Sequence, residues 1–287
     1  MTLEKAIKKV KPLDRNAMDI AQKRWDSIAK PLHSLGKLET LFIQIAGITG
    51  NAEIDLSKRG LIAMCADNGV VEEGVTQTGQ EVTAIVAENF LNYDTSVGVM
   101  CKQNHAEIFP VDMGMITDTK VRTDHKVAYG TKNMTKGPAM TREQAVKGIE
   151  SGIAMVEELK GKGYKILATG EMGIGNTTTS SAVASVLLNQ PVEEMTGRGA
   201  GLTSEGLARK IGAIRKAIKL NQPDPSDAVD VLAKVGGLDI AGMAGVFLGG
   251  AIYGIPVVMD GFISCVSALI AMQICPAAGD YMIASHV

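Results

Sequence analysis

Aromatic residues make up only 4% of this chain of 287 residues, and the formal net charge is −2. A protein so composed has neither a basic field for phosphate backbones nor a set of platforms on which bases stack. No His-x-x-x-His spacing occurs among His33, His105, His125 and His286, and no Cys-x-x-Cys among Cys65, Cys101, Cys265 and Cys275. A metal centre built from these residues is therefore not expected, although carboxylates leave a Mg²⁺ site open. The thiols, three of them in apolar runs, read as reduced core cysteines of a cytoplasmic protein rather than a disulfide frame. No secretory leader is visible either, since the N-terminus is charged and amphipathic, with Lys5, Lys8, Lys9 and Lys11.

What the chain does have is apolar length. At 46% hydrophobic and 21% charged residues, it suffices for one large α/β domain or a large domain with a small one. Ile240 to Met259 and Gly261 to Gly279 carry no charge, and each is long enough to cross a bilayer. The first run, however, holds Gly242, Gly245, Gly249, Gly250, Gly254 and Pro256, and Asp260 separates the two. A buried helix, a buried parallel strand and a second buried helix account for this better than a membrane hairpin.

Residues 1 to about 50 read as helices, one capped by Asp14 or Asn16 and running through Trp25, another from Leu38 to Ile48. Beyond Arg59, strands and helices alternate. Helices are expected over Glu81–Leu91, Arg142–Leu159, Thr203–Ile218 and Pro225–Val235, with Thr141 and Gln144 forming a capping box. Residues 115–139 read as a polar loop near the cleft. Four apolar runs end alike. Leu61–Ala66 leads into Asp67-Asn68-Gly69, Ala106–Val111 into Asp112-Met113-Gly114, Lys165–Thr169 into Gly170-Glu171-Met172-Gly173, and Val257–Met259 into Asp260-Gly261. In an open parallel sheet these ends share one edge, where ligands bind. The pattern predicts one acidic, glycine-lined cleft fed by Asp67, Asp112, Glu171 and Asp260. The plainer reading, that each acid only caps a helix or shapes a turn, is the better one for any single acid, but four repeats favour a shared ligand site for at least two of them.

The segment Gly170-Glu171-Met172-Gly173-Ile174-Gly175-Asn176-Thr177-Thr178-Thr179-Ser180-Ser181 reads as strand, glycine turn and helix start. Glycines admit close approach of a ligand, and the first amides of a helix favour anions. It is neither a Walker loop nor a dinucleotide fingerprint; a monophosphate or phosphoribosyl group fits so short a cradle. A carboxylate there, Glu171, is unfavourable beside phosphate unless it serves a sugar, a cation or a proton. Thr196-Gly197-Arg198-Gly199-Ala200-Gly201-Leu202 is a second flexible loop, with Arg198 as an anion fork. Lys210 completes such a site or else sits on a solvated helix face. Gly74–Thr83 is a candidate wall for a second substrate.

Together these segments resemble the nicotinate-nucleotide–dimethylbenzimidazole phosphoribosyltransferase family over essentially the whole chain. The resemblance is carried by Lys30-Pro31-Leu32-His33-Ser34-Leu35-Gly36-Lys37-Leu38-Glu39, Cys65-Ala66-Asp67-Asn68-Gly69-Val70 and Gly170 to Thr178. Asn221-Gln222-Pro223, Val235-Gly236-Gly237, Met259-Asp260-Gly261-Phe262 and Ser285-His286 complete it. It implies transfer of phosphoribose from nicotinate mononucleotide to an aromatic base acceptor, 5,6-dimethylbenzimidazole or a relative, without a cofactor or metal. It also implies an open, mostly parallel Rossmann-like α/β sheet, residues 56–287, with a small helical domain to which residues 1–55 contribute. The catalytic pair is then Glu171 and Asp260. The substrate-binding set is Thr78 and Val86 at the base, Met172, Gly173, Gly175, Asn176, Thr177, Arg198, Gly199 and Lys210 around the nucleotide, and Ser285.

The sequence departs from the family pattern at Val86, where relatives carry a polar side chain, and at Asn68, where a histidine is frequent. A purine or phenolic acceptor is therefore an alternative. The family's catalytic base, a glutamate of a Gly-Glu-Gly segment beyond Ser285-His286, has no counterpart in the sequence as given, so the C-terminal part of the small domain is expected to be missing or lost. The expected assembly is a homodimer, or a heterodimer with a paralogue. The alternative function is a non-catalytic nucleotide-binding companion subunit.

Overall fold

The computed structural model describes residues 2–286. Five strands, β1 (Arg59–Ala66), β2 (Ala106–Gly114), β3 (Ile166–Met172), β4 (Val257–Met259) and β5 (Met282–Ala284), form one parallel sheet in the order β2-β1-β3-β4-β5. The central strands are continuous apolar runs because both faces are covered; in β1 every residue from Ile62 to Ala66 is buried. β5 was not anticipated: it is three residues long, too short to show a period, and is held by pairing with β4, Val257 against Met282 and Met259 against Ala284.

From β1 the chain passes through α4 (Glu81–Asn92) and α5 (Ser96–Gln103) to β2 on one side. It returns through α6 (Arg142–Gly161) to β3 on the other side of β1. The direction of winding thus reverses between β1 and β3, which opens a crevice at their carboxyl ends. α6 starts at the expected capping box, with Gln144 N–H donating to Thr141 Oγ1 (3.2 Å) and Thr141 N–H to Gln144 Oε1 (2.9 Å). Next come α7 (Asn176–Leu187), α8 (Val192–Met195), α9 (Ser204–Asn221), α10 (Ala228–Val235), α11 (Leu238–Tyr253) and α12 (Phe262–Ile274). α10 begins later than Pro225, because Asp227 caps it by accepting from the N–H groups of Val229 and Asp230.

The first uncharged run is the central helix α11, buried from Leu238 to Ala251. Its glycines let it lie directly against α6. A Cβ added to Gly152 would stand 2.0 Å from the Gly242 carbonyl oxygen, and one added to Gly245 would stand 2.0 Å from that of Ile149. Among the described residues no helix is long and apolar enough to cross a membrane. The second run, α12, is apolar yet two-sided, and its outer face carries exposed Phe262, Cys265 and Met272. Cys265 is therefore exposed, against the expectation of a core thiol, while Cys65 and Cys101 are buried.

Before β1 lie α1 (Leu3–Ile7), α2 (Arg15–Ser27) and α3 (Lys37–Thr49). Asp14 caps α2 through Ala17 N–H at 3.0 Å. α2 and α3 pair over a small core of Ala17, Ala21 and Ala46, whereas Ala6 and Ile48 belong to the main core. Buried Glu39 holds the loop before α3, pairing with Lys30 Nζ at 2.8 Å and accepting from Leu35 N–H at 3.0 Å.

Candidate active site

The four strand-end acids divide into two pairs. Asp67 and Asp112 are fully buried. Asp67 Oδ2 accepts from Ile116 N–H at 2.8 Å, Asp112 Oδ1 from Met115 N–H at 2.8 Å, and Asp112 Oδ2 lies 3.0 Å from Lys126 Nζ. They fasten the loop after β2 to the strand ends, the turn-shaping role, and do not line the cleft expected of them. Glu171 at the end of β3 and Asp260 after β4 do share a cavity, of about 150 Å³, with Gly170, Thr177, Phe262 and Ser264. The acidic cleft therefore has two acids, not four.

Glu171 has a partner the sequence reading missed. The Asn176 side-chain amide donates to Glu171 Oε2 at 2.5 Å and to Asp239 Oδ2 at 2.9 Å. Asp239, in the first turn of α11, is fully buried. Loss of water, the Asp239 charge and, less strongly, Asp260 push Glu171 up to about 7 against the downward pull of the Asn176 bond. Burial likewise raises Asp239 to about 6. The available signal was an acid two residues after Gly236-Gly237 at the head of an uncharged helix, read only as a helix boundary. The Asn176 amide, expected beside phosphate, is committed to the two carboxylates.

The glycines of the β3–α7 turn serve packing. A Cβ on Gly173 would lie 2.5 Å from both the Ala66 carbonyl oxygen and Asp239 Oδ2, and Gly175, at φ +95°, faces Val71 and Asn68. Thr178 and Ser180 are buried too. From the hydroxyl run only Thr177 and Ser181 line a cavity, of about 440 Å³, together with Thr196, Gly197, Gly199, Lys210 and Phe262. Lys210 on α9 is 1% exposed. Its Nζ donates to Thr177 Oγ1 at 2.8 Å and to the Gly197 carbonyl at 3.3 Å. Among the described residues it forms no ion pair, and burial lowers its pKa to about 8. Gly199, at φ +56°, brings its loop within 3.0 Å (from a would-be Cβ) of Thr177 Oγ1. Arg198 is exposed and does not enter; its guanidinium donates to the Leu202 carbonyl at 2.8 Å and to Ser204 Oγ at 3.1 Å, tying its own loop to the start of α9.

On the other side of Glu171 and Asp260 a cavity of about 550 Å³ runs along the sheet, walled by Leu61, Ala63, Phe90, Val97 and Met100, with Ser285 at its rim. Val86 and Met172 belong to the apolar cluster behind it. Thr78 is exposed on the loop before α4, which is anchored across the site by Gln77 donating to the Gly201 carbonyl at 2.5 Å. The cavities adjoin: Glu171 and Asp260 border the first and third, Thr177 and Phe262 the first and second. The result is an apolar pocket, a two-carboxylate centre and a buried cation in line.

Comparison with known proteins identifies the family of the chain. A family model described as Phosphoribosyltransferase matches residues 10–287. The chain is 51% identical to the nicotinate-nucleotide–dimethylbenzimidazole phosphoribosyltransferase of Ruminiclostridium cellulolyticum, covering 100% of this chain and 82% of that protein. It is 49% identical, with the same coverage, to the enzyme of that name from Clostridium acetobutylicum. The crystal structure of the nicotinate-nucleotide–dimethylbenzimidazole phosphoribosyltransferase from Thermus thermophilus superposes with a TM-score of 0.88 at 33% identity, covering 96% of this chain and 82% of that one.

Proposed function

The chain belongs to the nicotinate-nucleotide–dimethylbenzimidazole phosphoribosyltransferase family, and from that premise we propose how its own residues divide the reaction. The enzyme is a pentosyltransferase of cobamide lower-ligand activation, moving phosphoribose from nicotinate mononucleotide to a base. The observation that carries the assignment of residues is the unpaired, buried Lys210 one cavity away from Glu171 and Asp260. A buried ammonium without an anion is costly, and a nucleotide phosphate supplies the missing charge. Lys210, Thr177 and Gly199 then hold the phosphate, and the ribose lies between Glu171 and Asp260. The acceptor ring occupies the apolar side, where Val86, Met172 and Ser285 shape its surroundings.

Breaking the C1′–N bond to nicotinate builds positive charge on the ribose ring, and ionised carboxylates facing it stabilise that charge. Asp260, across the same cavity from Glu171, is the second carboxylate placed to face the ribose. The acceptor nitrogen must also lose its proton, and Glu171, with a proton affinity near 7, suits that exchange. An α-ribotide formed from a β-linked nucleotide requires attack on the face opposite the departing nicotinate, so donor and acceptor rings flank the sugar.

The exposed Ile20 of α2, Leu38 of α3, and Ile28, Leu32 and Leu35 of the loop between them support a dimer, with a second copy or a paralogue. The free thiols support a reducing, cytoplasmic setting. The test is nicotinate release from nicotinate mononucleotide with 5,6-dimethylbenzimidazole, adenine and phenol as acceptors. Acceptor-dependent release is expected from the purified chain, and Glu171→Gln should reduce it roughly 10²–10⁴-fold. Unchanged turnover in that variant would remove Glu171 from the mechanism.

A further inference from the structure

We infer that Asp239 is a positioning residue for the transfer, bridged to Glu171 by the Asn176 amide so that the two carboxylates act as one unit whose charge and orientation Asp239 sets. The inference rests on the phosphoribosyl-transfer reading of the cleft. The geometry is specific. One amide nitrogen serves both acids, at 2.5 Å and 2.9 Å, which uses both of its hydrogens. The second oxygen of Asp239 accepts from Ile240 N–H at 3.0 Å, so the carboxylate is pinned at both ends. The backbone is shaped around it as well: a Cβ on Gly173 would fall 2.5 Å from Asp239 Oδ2, and one on Gly237 would fall 2.5 Å from Asp239 Oδ1. Only glycine leaves room for the acid at either place.

Among the described residues no cation neutralises the unit. Cys65 and Asp67 face it from the end of β1, Asp112 stands behind them on β2 with Lys126 as partner, and Asp260 faces it from the end of β4. Lys210 from α9 is engaged with Thr177 and Gly197. An ionised Asp239 therefore opposes ionisation of Glu171, while the Asn176 donor favours it. Burial, the largest effect, and the like charge raise the pair, the Asn176 donor lowers it, and the pair gains or loses a proton close to neutral pH, with values that belong to the pair rather than to either acid.

The two bridge residues consequently have opposite predicted effects. In Asp239→Asn the side-chain carbonyl still accepts from Asn176 but the charge is gone, so Glu171 should ionise at lower pH, by about one unit. In Asn176→Ala the charge remains and the donor is lost, so Glu171 should ionise at higher pH. The experiment is a ¹³C NMR titration of glutamate carboxyl groups in the full chain, with Glu171 assigned through Glu171→Gln, alongside the pH profile of nicotinate release. Shifts of opposite sign in the two variants, matched by movement of the acidic limb of kcat, are expected. A Glu171 titration that stays at its wild-type midpoint in either folded variant overturns the coupling, because a merely structural Asp239 would not move it. If the wild-type chain released no nicotinate, the reading of the reaction would fail, yet the titration would still decide whether Asp239 governs Glu171.

Discussion

Lys210 places a charge where the ligand-free fold gains nothing from it. Its Nζ has a hydroxyl and a carbonyl for partners but, among the described residues, no acid, and burial lowers its pKa to about 8. A folded-state pKa below the ordinary lysine value means that the ligand-free protein binds fewer protons than the unfolded chain between about 8 and 10.5; stability therefore rises with pH across that window. A bound phosphate reverses the balance by stabilising the ammonium form. Binding of nicotinate mononucleotide at pH 8.5 should accordingly take up protons, seen as a calorimetric enthalpy that varies with buffer ionisation enthalpy, and uptake should vanish in Lys210→Met. That variant should also weaken binding by about 1.5–3 kcal/mol, the scale of a charged hydrogen bond. Without ligand, Lys210→Met should be no less stable than the wild type at pH 7, since an apolar side chain replaces a desolvated charge. Equal proton uptake in variant and wild type would mean that Lys210 does not meet the phosphate.

At the scale of elements, the alternation of apolar runs and turns beyond Arg59 made the parallel sheet legible, and the ends of β1 to β4 could be read because each apolar run stops at an acid and a glycine. Glu171 and Asp260 follow from that pattern. Asp67 and Asp112 do not separate from them in sequence, because a carboxylate that fastens a loop and one that faces a ligand follow the same kind of strand end. Asp239 was illegible for a different reason: its function depends on a long-range approach of α11 to the β3–α7 turn, 63 positions from Asn176. The uncharged run of α11 has the length of a membrane span, and its glycines, which argue for a buried helix instead, find their reason once α6 is placed against them. Gly152→Ala should therefore destabilise the fold by roughly 1–3 kcal/mol through overpacking, since its Cβ would meet the Gly242 carbonyl at 2.0 Å. Gly161→Ala, near the end of the same helix with nothing within 4 Å of the added atom, should be neutral or stabilising by up to about 1 kcal/mol. Urea midpoints of the two variants test this; equal midpoints would show that the α6–α11 contact yields easily.

Taken over the whole molecule, the acids form two populations with opposite consequences for stability. Glu171, Asp239, Asp67 and Asp112 have their proton affinities raised, chiefly by burial, the first to about 7 and the second to about 6. For a carboxyl raised in this way the folded state binds the proton more readily than the unfolded chain. Its contribution is fully present below the unfolded value near 4 and is lost as pH rises through the folded value. Glu158 is the reverse case: hydrogen bonds from Arg122 and Lys162 lower it to about 2, and Glu39 and Glu73 are lowered too. Their contribution is present above the unfolded value and disappears as pH falls towards the folded one. The two windows meet near pH 5, where the interior acids are taking up protons and the bridged acids are still ionised. The ligand-free protein should therefore have its highest Tm near pH 5 and lose stability from there towards pH 7.5, where the reaction needs its carboxylates charged. Scanning calorimetry from pH 3 to 8 gives the curve. A Tm that climbs steadily to pH 7.5 would mean that the interior acids are better solvated than the fold suggests. The same scan on Asp239→Asn should flatten the descending limb, because removing one acid relieves Glu171 of its nearest like charge.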